Sequence, residues 1–178
     1  APRMKNPPDP IVGVARMAGT TVLTGALLFL VAGTVRWTWA WLYLAVLAAV
    51  LSSYSWLLLV RHPDLSAERE RPPEGAKSWD RPFVLLIGKV GPMALLLFCA
   101  RDRRLGLSAA MPAAAAAIGL VMVAAGGAVT AWAVAHNRFF SAVVRIQRDR
   151  GHVVVDSGPY GVVRHPGYAG SLLHTLGT

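Results

Sequence analysis

The sequence predicts an all-α protein, a polytopic bundle of transmembrane helices with four complete spans and a truncated fifth. Of its 178 residues, 54% are hydrophobic and only 15% are charged, which is less charge than a soluble domain of this length usually carries. The apolar residues are gathered in a few long runs. Because the bilayer core is about 30 Å thick, runs of roughly 20 apolar residues can cross it as helices.

Four runs within residues 1–135 reach that length, so this part of the chain is predicted to be a transmembrane helical scaffold. Their Leu, Ala and Val content, without alternation of polar and apolar positions, favours helices over the strands of a membrane barrel. The predicted spans are residues 12–35, 37–60, 83–100 and 109–135.

Basic residues are distributed unevenly between the two sides of such a bundle. The N-terminus, the loop between spans two and three, and the segment after span four share one side, and they hold most of the 18 Lys and Arg residues. The positive-inside rule places that side in the cytoplasm. This topology accounts for the net charge of +9 without a nucleic-acid partner.

Residues 136–178 differ from the scaffold because they are rich in Arg, Gly, His and aromatic residues. Pro166 disfavours helical geometry at His165 and fits the first turn of a following helix. His165 and Tyr168 are therefore predicted at the N-terminal end of a fifth helix, next to the permanent charge of Arg164. Such a site suits a carboxylate-bearing ligand, and the faces of Tyr160 and Tyr168 suit an adenine or a sulfonium.

A longer run in this segment contains Gly158-Pro159-Tyr160, Val163-Arg164-His165-Pro166, Tyr168 and Gly170. It is preceded by Asn137–Ser141, Val144–Gln147, Arg150-Gly151-His152 and, before span three, Lys77…Trp79-Asp80. With these residues the chain resembles the isoprenylcysteine carboxyl methyltransferase-like family of integral membrane methyltransferases, which is related to the phospholipid N-methyltransferases. Arg61-His62-Pro63 also reads RHP, but no Tyr or Gly follows it at the right spacing, so the whole run and not the tripeptide carries the resemblance.

The resemblance implies S-adenosyl-L-methionine as cofactor and Arg164, His165 and Tyr168 as catalytic residues, with no metal. It also implies a bacterial inner-membrane protein whose methyl acceptor, lipid-like or small, could be a carboxylate, an amine or a thiol. The implied cofactor contacts are Gln147, His152, Val153, Val154, Val155, Tyr160, His165, Pro166, Gly167 and Tyr168.

About a dozen residues follow Gly167, fewer than a span requires, so we expect a fragment that is truncated at its C-terminus. The family has a further span and an Arg/Glu-rich segment after this motif, and we expect a chain without them to be inactive. Two alternatives are a steroid-reductase-like membrane enzyme that uses NADPH and a membrane scaffold or haem protein. In the haem alternative, His136 and His174 would face each other as axial ligands.

Overall fold

The computed structural model describes residues 10–63, 65, 80–141, 147 and 151–178. These residues form six α-helices and, in the ranges described, no strand, which confirms the all-α prediction. A π-helical turn at Leu86–Val90 joins the third α-helix to the fourth, and a 3-10 turn at Gly158–Gly161 precedes the sixth. The helices are α1 (Pro10–Ala32), α2 (Thr38–Arg61), α3 (Asp80–Leu85), α4 (Gly91–Leu105), α5 (Ala113–His136) and α6 (Pro166–Leu176).

Among the described residues, four helical stretches are long and apolar enough to cross a membrane, as expected of an integral membrane protein. Their ends differ by a few residues from those predicted, for local reasons. Gly33 has a φ of +69° and ends the first stretch, while Pro112 lies in extended geometry immediately before the fourth. The stretches are Ile11–Ala32, Thr38–Arg61, Pro82–Leu105 and Ala113–His136.

The spans pack in the order α4, α1, α2, α5, and α6 lies against α5. Many large apolar side chains on these helices, such as Leu30 and Trp56, are exposed in the way that lipid-facing residues would be. The main core lies near the end of the bundle where α1 meets α2. It contains Leu28, Ala32, Ala40, Tyr43, Leu44, Leu96, Ala100 and Val123.

Glycines bring the backbones of α5 and α6 into direct contact. A Cβ atom placed on Gly126 would lie 2.5 Å from the carbonyl oxygen of Gly170, and one on Gly119 would lie 2.8 Å from that of Gly177. Gly119 precedes Gly126 in α5, whereas its neighbour Gly177, just after α6, follows Gly170. The two helices are therefore antiparallel. The next residue, Gly127, instead faces Val50 of α2. Small residues of this kind allow close helix packing in membranes.

The register of α5 and α6 contradicts the haem alternative. His174 lies beside Gly126. His136 is at the end of α5, about 15 Å further along the helix, and its ring lies against Gly158. The two histidines therefore do not face each other, and the prediction of a shared axial haem between them is wrong. The sequence could not show this because the register depends on which glycines meet.

Candidate functional site

The start of α6 forms as the sequence predicts. His165 occupies the N-cap position and Pro166 the first helical position. The carbonyl of His165 accepts hydrogen bonds from the backbone N–H groups of Tyr168 and Ala169, at 3.0 and 3.1 Å. Pro166 has no N–H group, so the N–H of Gly167 and the partial positive charge of the helix end are what the first turn offers to a ligand. This end of α6 therefore offers a place for an anionic group.

An exposed aromatic pair lies at this helix end. The rings of His165 and Tyr168 are stacked, with 5.5 Å between their centroids and 30° between their planes. Tyr168 is 72% exposed, and the neighbouring Arg164 is exposed too. The structure thus brings the three residues predicted to be catalytic onto one surface. That surface combines a permanent cation with flat aromatic faces.

Tyr160 is held by a residue that the sequence analysis did not assign to the site. The side-chain amide of Asn137 donates a hydrogen bond to the Tyr160 hydroxyl at 3.0 Å. The amide oxygen of Asn137 accepts one from the backbone N–H of Phe139 at 2.8 Å. Burial raises the pKa of the Tyr160 phenol, against a smaller lowering by the Asn137 hydrogen bond. Tyr160 is therefore a neutral donor and acceptor at physiological pH.

Gln147 and His152 form a second contact with the chain that follows α5. The Gln147 side chain donates to the carbonyl of Phe139 at 2.7 Å, and its backbone N–H donates to His152 Nδ1 at 3.2 Å. The His152 ring stacks on Phe139, with a centroid distance of 4.8 Å and an angle of 5°. Gln147 is only 1% exposed. Its hydrogen bonds consequently fix the orientation of its neighbours.

Residues 137–140, here called the α5-exit segment, connect all of these parts. Asn137 holds Tyr160, and Phe139 holds Gln147 and His152. The ring of Phe140 lies 2.8 Å from where a Cβ on Gly167 would be, so that glycine is needed for packing. Phe140 also packs on the buried cluster of Leu58, Leu65 and Val134. The only sequence signal for this segment was its position inside the family-like run.

The remaining predicted contacts differ widely in exposure. Val154 is 90% exposed and Val153 is exposed too, while Val155 is half-buried. Pro166 is fully buried, so its ring and the side chain of Gln147 present almost no surface to a ligand. Direct contact of these two residues with the cofactor, which the resemblance implies, stays a prediction. The elements around Lys77 and Trp79 and at residues 144–146 and 150 lie outside the described residues.

Among the described residues, no group of three or more His, Cys, Asp or Glu side chains could hold a metal ion. The donors that the site does present are a guanidinium, an imidazole, phenols and the backbone N–H of Gly167. This set suits an organic ligand that carries a carboxylate and a flat or cationic group.

Replacing Asn137 with alanine should release Tyr160 and the 3-10 turn that carries it. The change removes one side-chain hydrogen bond to Tyr160 and one to Phe139, each worth about 1 kcal/mol. Hydrogen–deuterium exchange of peptides covering residues 151–165 should become faster, and Tyr160→Phe should produce a smaller increase. Ser157→Ala, at an exposed position in the same stretch, is the matched control. Equal exchange in Asn137→Ala and Ser157→Ala would contradict this role of Asn137.

Comparison with known proteins identifies the same part of the chain. The model of the isoprenylcysteine carboxyl methyltransferase (ICMT) family matches residues 117–178. Two curated proteins named "Probable protein-S-isoprenylcysteine O-methyltransferase", from Oryza sativa subsp. indica and subsp. japonica, are each 40% identical over 62 residues. The matched region is 34% of this chain and 32% of each relative, so the chain spans about a third of their length.

No solved structure matches the chain significantly. The matched region begins within α5 and contains the α5-exit segment, the 3-10 turn and α6. The residues that the structure brings together at the start of α6 thus lie within the region that the family model matches. Residues 117–178 of the chain are therefore similar to the isoprenylcysteine carboxyl methyltransferase family.

Proposed function

We propose that this chain carries the cofactor-binding segment of an integral membrane methyltransferase that uses S-adenosyl-L-methionine and methylates the carboxylate of an isoprenylcysteine-like acceptor. The observation that carries the proposal is the exposed His165–Tyr168 pair beside Arg164, at the start of α6 and inside the family-matching region. The names of the two curated relatives support the choice of acceptor.

The residues at the site fit the chemical groups of S-adenosyl-L-methionine. Arg164 and the N-terminal end of α6 would bind its carboxylate, because both carry positive charge. The face of Tyr168 would attract the sulfonium, and His165 or Tyr160 would offer a surface to the adenine. Val153 and Val154 add exposed apolar surface nearby in the sequence. Gln147 and Pro166 would act as positioning residues through Phe139 and the start of α6.

The cofactor, when bound, supplies an electrophilic methyl group that an acceptor takes by in-line displacement. The chain therefore has to hold the two reactants in line and keep water away. Stacked and hydrogen-bonded side chains suit this task. Asn137 fixes the Tyr160 hydroxyl, and Phe139 fixes the His152 ring, so few groups would need to reorganise on binding.

An exposed stripe on α6 supports an acceptor with a lipid tail. Tyr168, Leu172 and Leu176 follow each other at intervals of one helical turn, and all three are exposed. The stripe runs from the candidate site along the helix. An isoprenyl chain that lay on it from the bilayer would bring its polar end to His165 and Tyr168.

Isothermal titration of the full-length protein with S-adenosyl-L-methionine tests the cofactor. We expect saturable binding, and no comparable binding of NADPH. The absence of S-adenosyl-L-methionine binding would overturn the proposal. A preference for NADPH would overturn it too and would favour the reductase alternative.

Transfer of a labelled methyl group tests the acceptor. We expect an N-acetylated S-prenylcysteine to be methylated by the full-length protein, and its methyl ester and phosphatidylethanolamine to remain unlabelled. Labelling of phosphatidylethanolamine instead would show an amine acceptor and contradict the carboxylate.

A further inference from the structure

A groove lies at the end of the bundle opposite the candidate site. The end of α2 is tied to the site end, because His62 Nε2 lies 3.2 Å from the carbonyl oxygen of Ala135 in α5. The start of α2, where it meets the end of α1, is therefore at the opposite end. There an open groove of about 750 Å³ has Ala26, Phe29 and Leu30 along α1, and Thr34, Val35 and Arg36 in the turn.

Three arginines lie around the turn between α1 and α2, at the polar end of this groove or beside it. Arg36 is part of its lining. Arg104 reaches across from α4, and its Nε atom lies 3.3 Å from where a Cβ on Gly33 would be. The guanidinium of Arg103 lies 5.1 Å from the centre of the Trp37 ring. Gly33 thus serves two purposes, since it adopts the left-handed geometry that ends α1 and leaves room for Arg104.

These arginines outnumber the acidic side chains near them in the described part of the chain. Asp102, next to Arg103, accepts a hydrogen bond from the Ser108 hydroxyl at 3.0 Å and keeps its negative charge. Within the ranges that the structure describes, none of Arg36, Arg103 and Arg104 forms an ion pair with a carboxylate. All three are exposed. Arg104 would also stabilise the C-terminal end of α1 through the helix dipole, but that role leaves Arg36, Arg103 and the apolar groove unexplained.

We propose that this groove binds an anionic phospholipid from the leaflet opposite the candidate site. The acyl chain would lie on Ala26, Phe29 and Leu30, and the phosphate would lie among the guanidinium groups of Arg36, Arg103 and Arg104. Arginine suits this ligand because its planar group donates two parallel hydrogen bonds to phosphate oxygens. The size of the groove is in the range of small-molecule sites. A zwitterionic lipid would fit the apolar part equally well but gain less from the charge.

Native mass spectrometry of the detergent-solubilised chain tests the proposal. Phosphatidylglycerol and phosphatidylcholine with identical acyl chains are titrated, and the bound lipids are counted. We expect the phosphatidylglycerol complex to be favoured, and the double variant Arg103→Gln/Arg104→Gln to weaken it by about tenfold or more. Arg61→Gln, which removes one exposed charge at the other end of the bundle, is the control and should leave binding unchanged.

A second variant distinguishes a lipid from a bound phosphate ion. Ala26→Trp fills the apolar part of the groove and keeps every arginine, so it should also weaken phosphatidylglycerol binding. Circular dichroism confirms that each variant keeps its helix content. The proposal is overturned if both lipids bind equally, if Ala26→Trp has no effect, or if millimolar inorganic phosphate displaces the lipid.

Discussion

Leucine in place of Gly126 is expected to separate α6 from α5 and to abolish cofactor binding by the full-length protein. The position of its Cβ is 2.5 Å from both the Gly170 carbonyl oxygen and the His174 backbone nitrogen. Backbone atoms cannot rotate away as side chains can, so the helices must move apart. We expect a loss of about 3 kcal/mol or more in the free energy of unfolding, measured by denaturant titration in micelles.

Ala125→Leu is the matched control for this prediction, since it adds leucine at the preceding position, which is exposed. The reciprocal pair on α6 is Gly170→Leu with Ala169→Leu, because Gly170 is buried and Ala169 is exposed. We expect both glycine variants to lose binding of S-adenosyl-L-methionine and both alanine variants to retain it. Retained binding in Gly126→Leu and Gly170→Leu would show that α6 can bind the cofactor without its contact with α5.

Removing the ring of Tyr168 is expected to weaken binding of S-adenosyl-L-methionine by about tenfold or more. A cation over an aromatic ring contributes about 1 kcal/mol at an exposed site and about 2 kcal/mol where water is excluded. Tyr168→Ala removes this contribution, while Tyr168→Phe keeps the ring and should bind within about twofold of the parent. Because Tyr168 is 72% exposed, neither change removes packing that the fold needs. Isothermal titration of the full-length variants measures the effect.

Val162→Ala provides the control for Tyr168→Ala, because Val162 is 79% exposed and lies outside α6. It should bind the cofactor as the parent does. Equal losses in Tyr168→Phe and Tyr168→Ala would mean that the hydroxyl, and not the ring, makes the contact. Unchanged affinity in Tyr168→Ala would remove this residue from the proposed site.

The helical architecture could be predicted from the sequence because long apolar runs determine it. The exact ends of the helices could not, because single residues set them. Gly33 ends α1 through its positive φ, and Pro112 delays the start of α5, although the apolar runs continue past both positions. The π-helical turn at Leu86–Val90 also has no signature in the hydropathy of the third span.

The start of α6 could be predicted because it depends on adjacent residues. Pro166 excludes helical geometry at His165, and the stacked His165–Tyr168 pair follows from their spacing in the first turn. The role of Asn137 could not be predicted, because its hydrogen bond to Tyr160 joins residues 23 apart in the sequence. The burial of Gln147, whose side-chain amide donates to the Phe139 carbonyl, could not be predicted either.

The glycine contacts between α5 and α6 also limit which mutations of the gene are compatible with a functional protein. Gly119, Gly126, Gly170 and Gly177 have no side chain that could bind or react, yet a backbone atom of the facing segment lies within 3 Å of where each Cβ would be. A single nucleotide change turns a glycine codon into alanine or serine but also into valine, arginine or an acidic residue. Selection for function in a saturation library should therefore tolerate at most the smallest replacements at these four positions. Exposed neighbours such as Ala125 and Ala169 should accept almost any apolar residue.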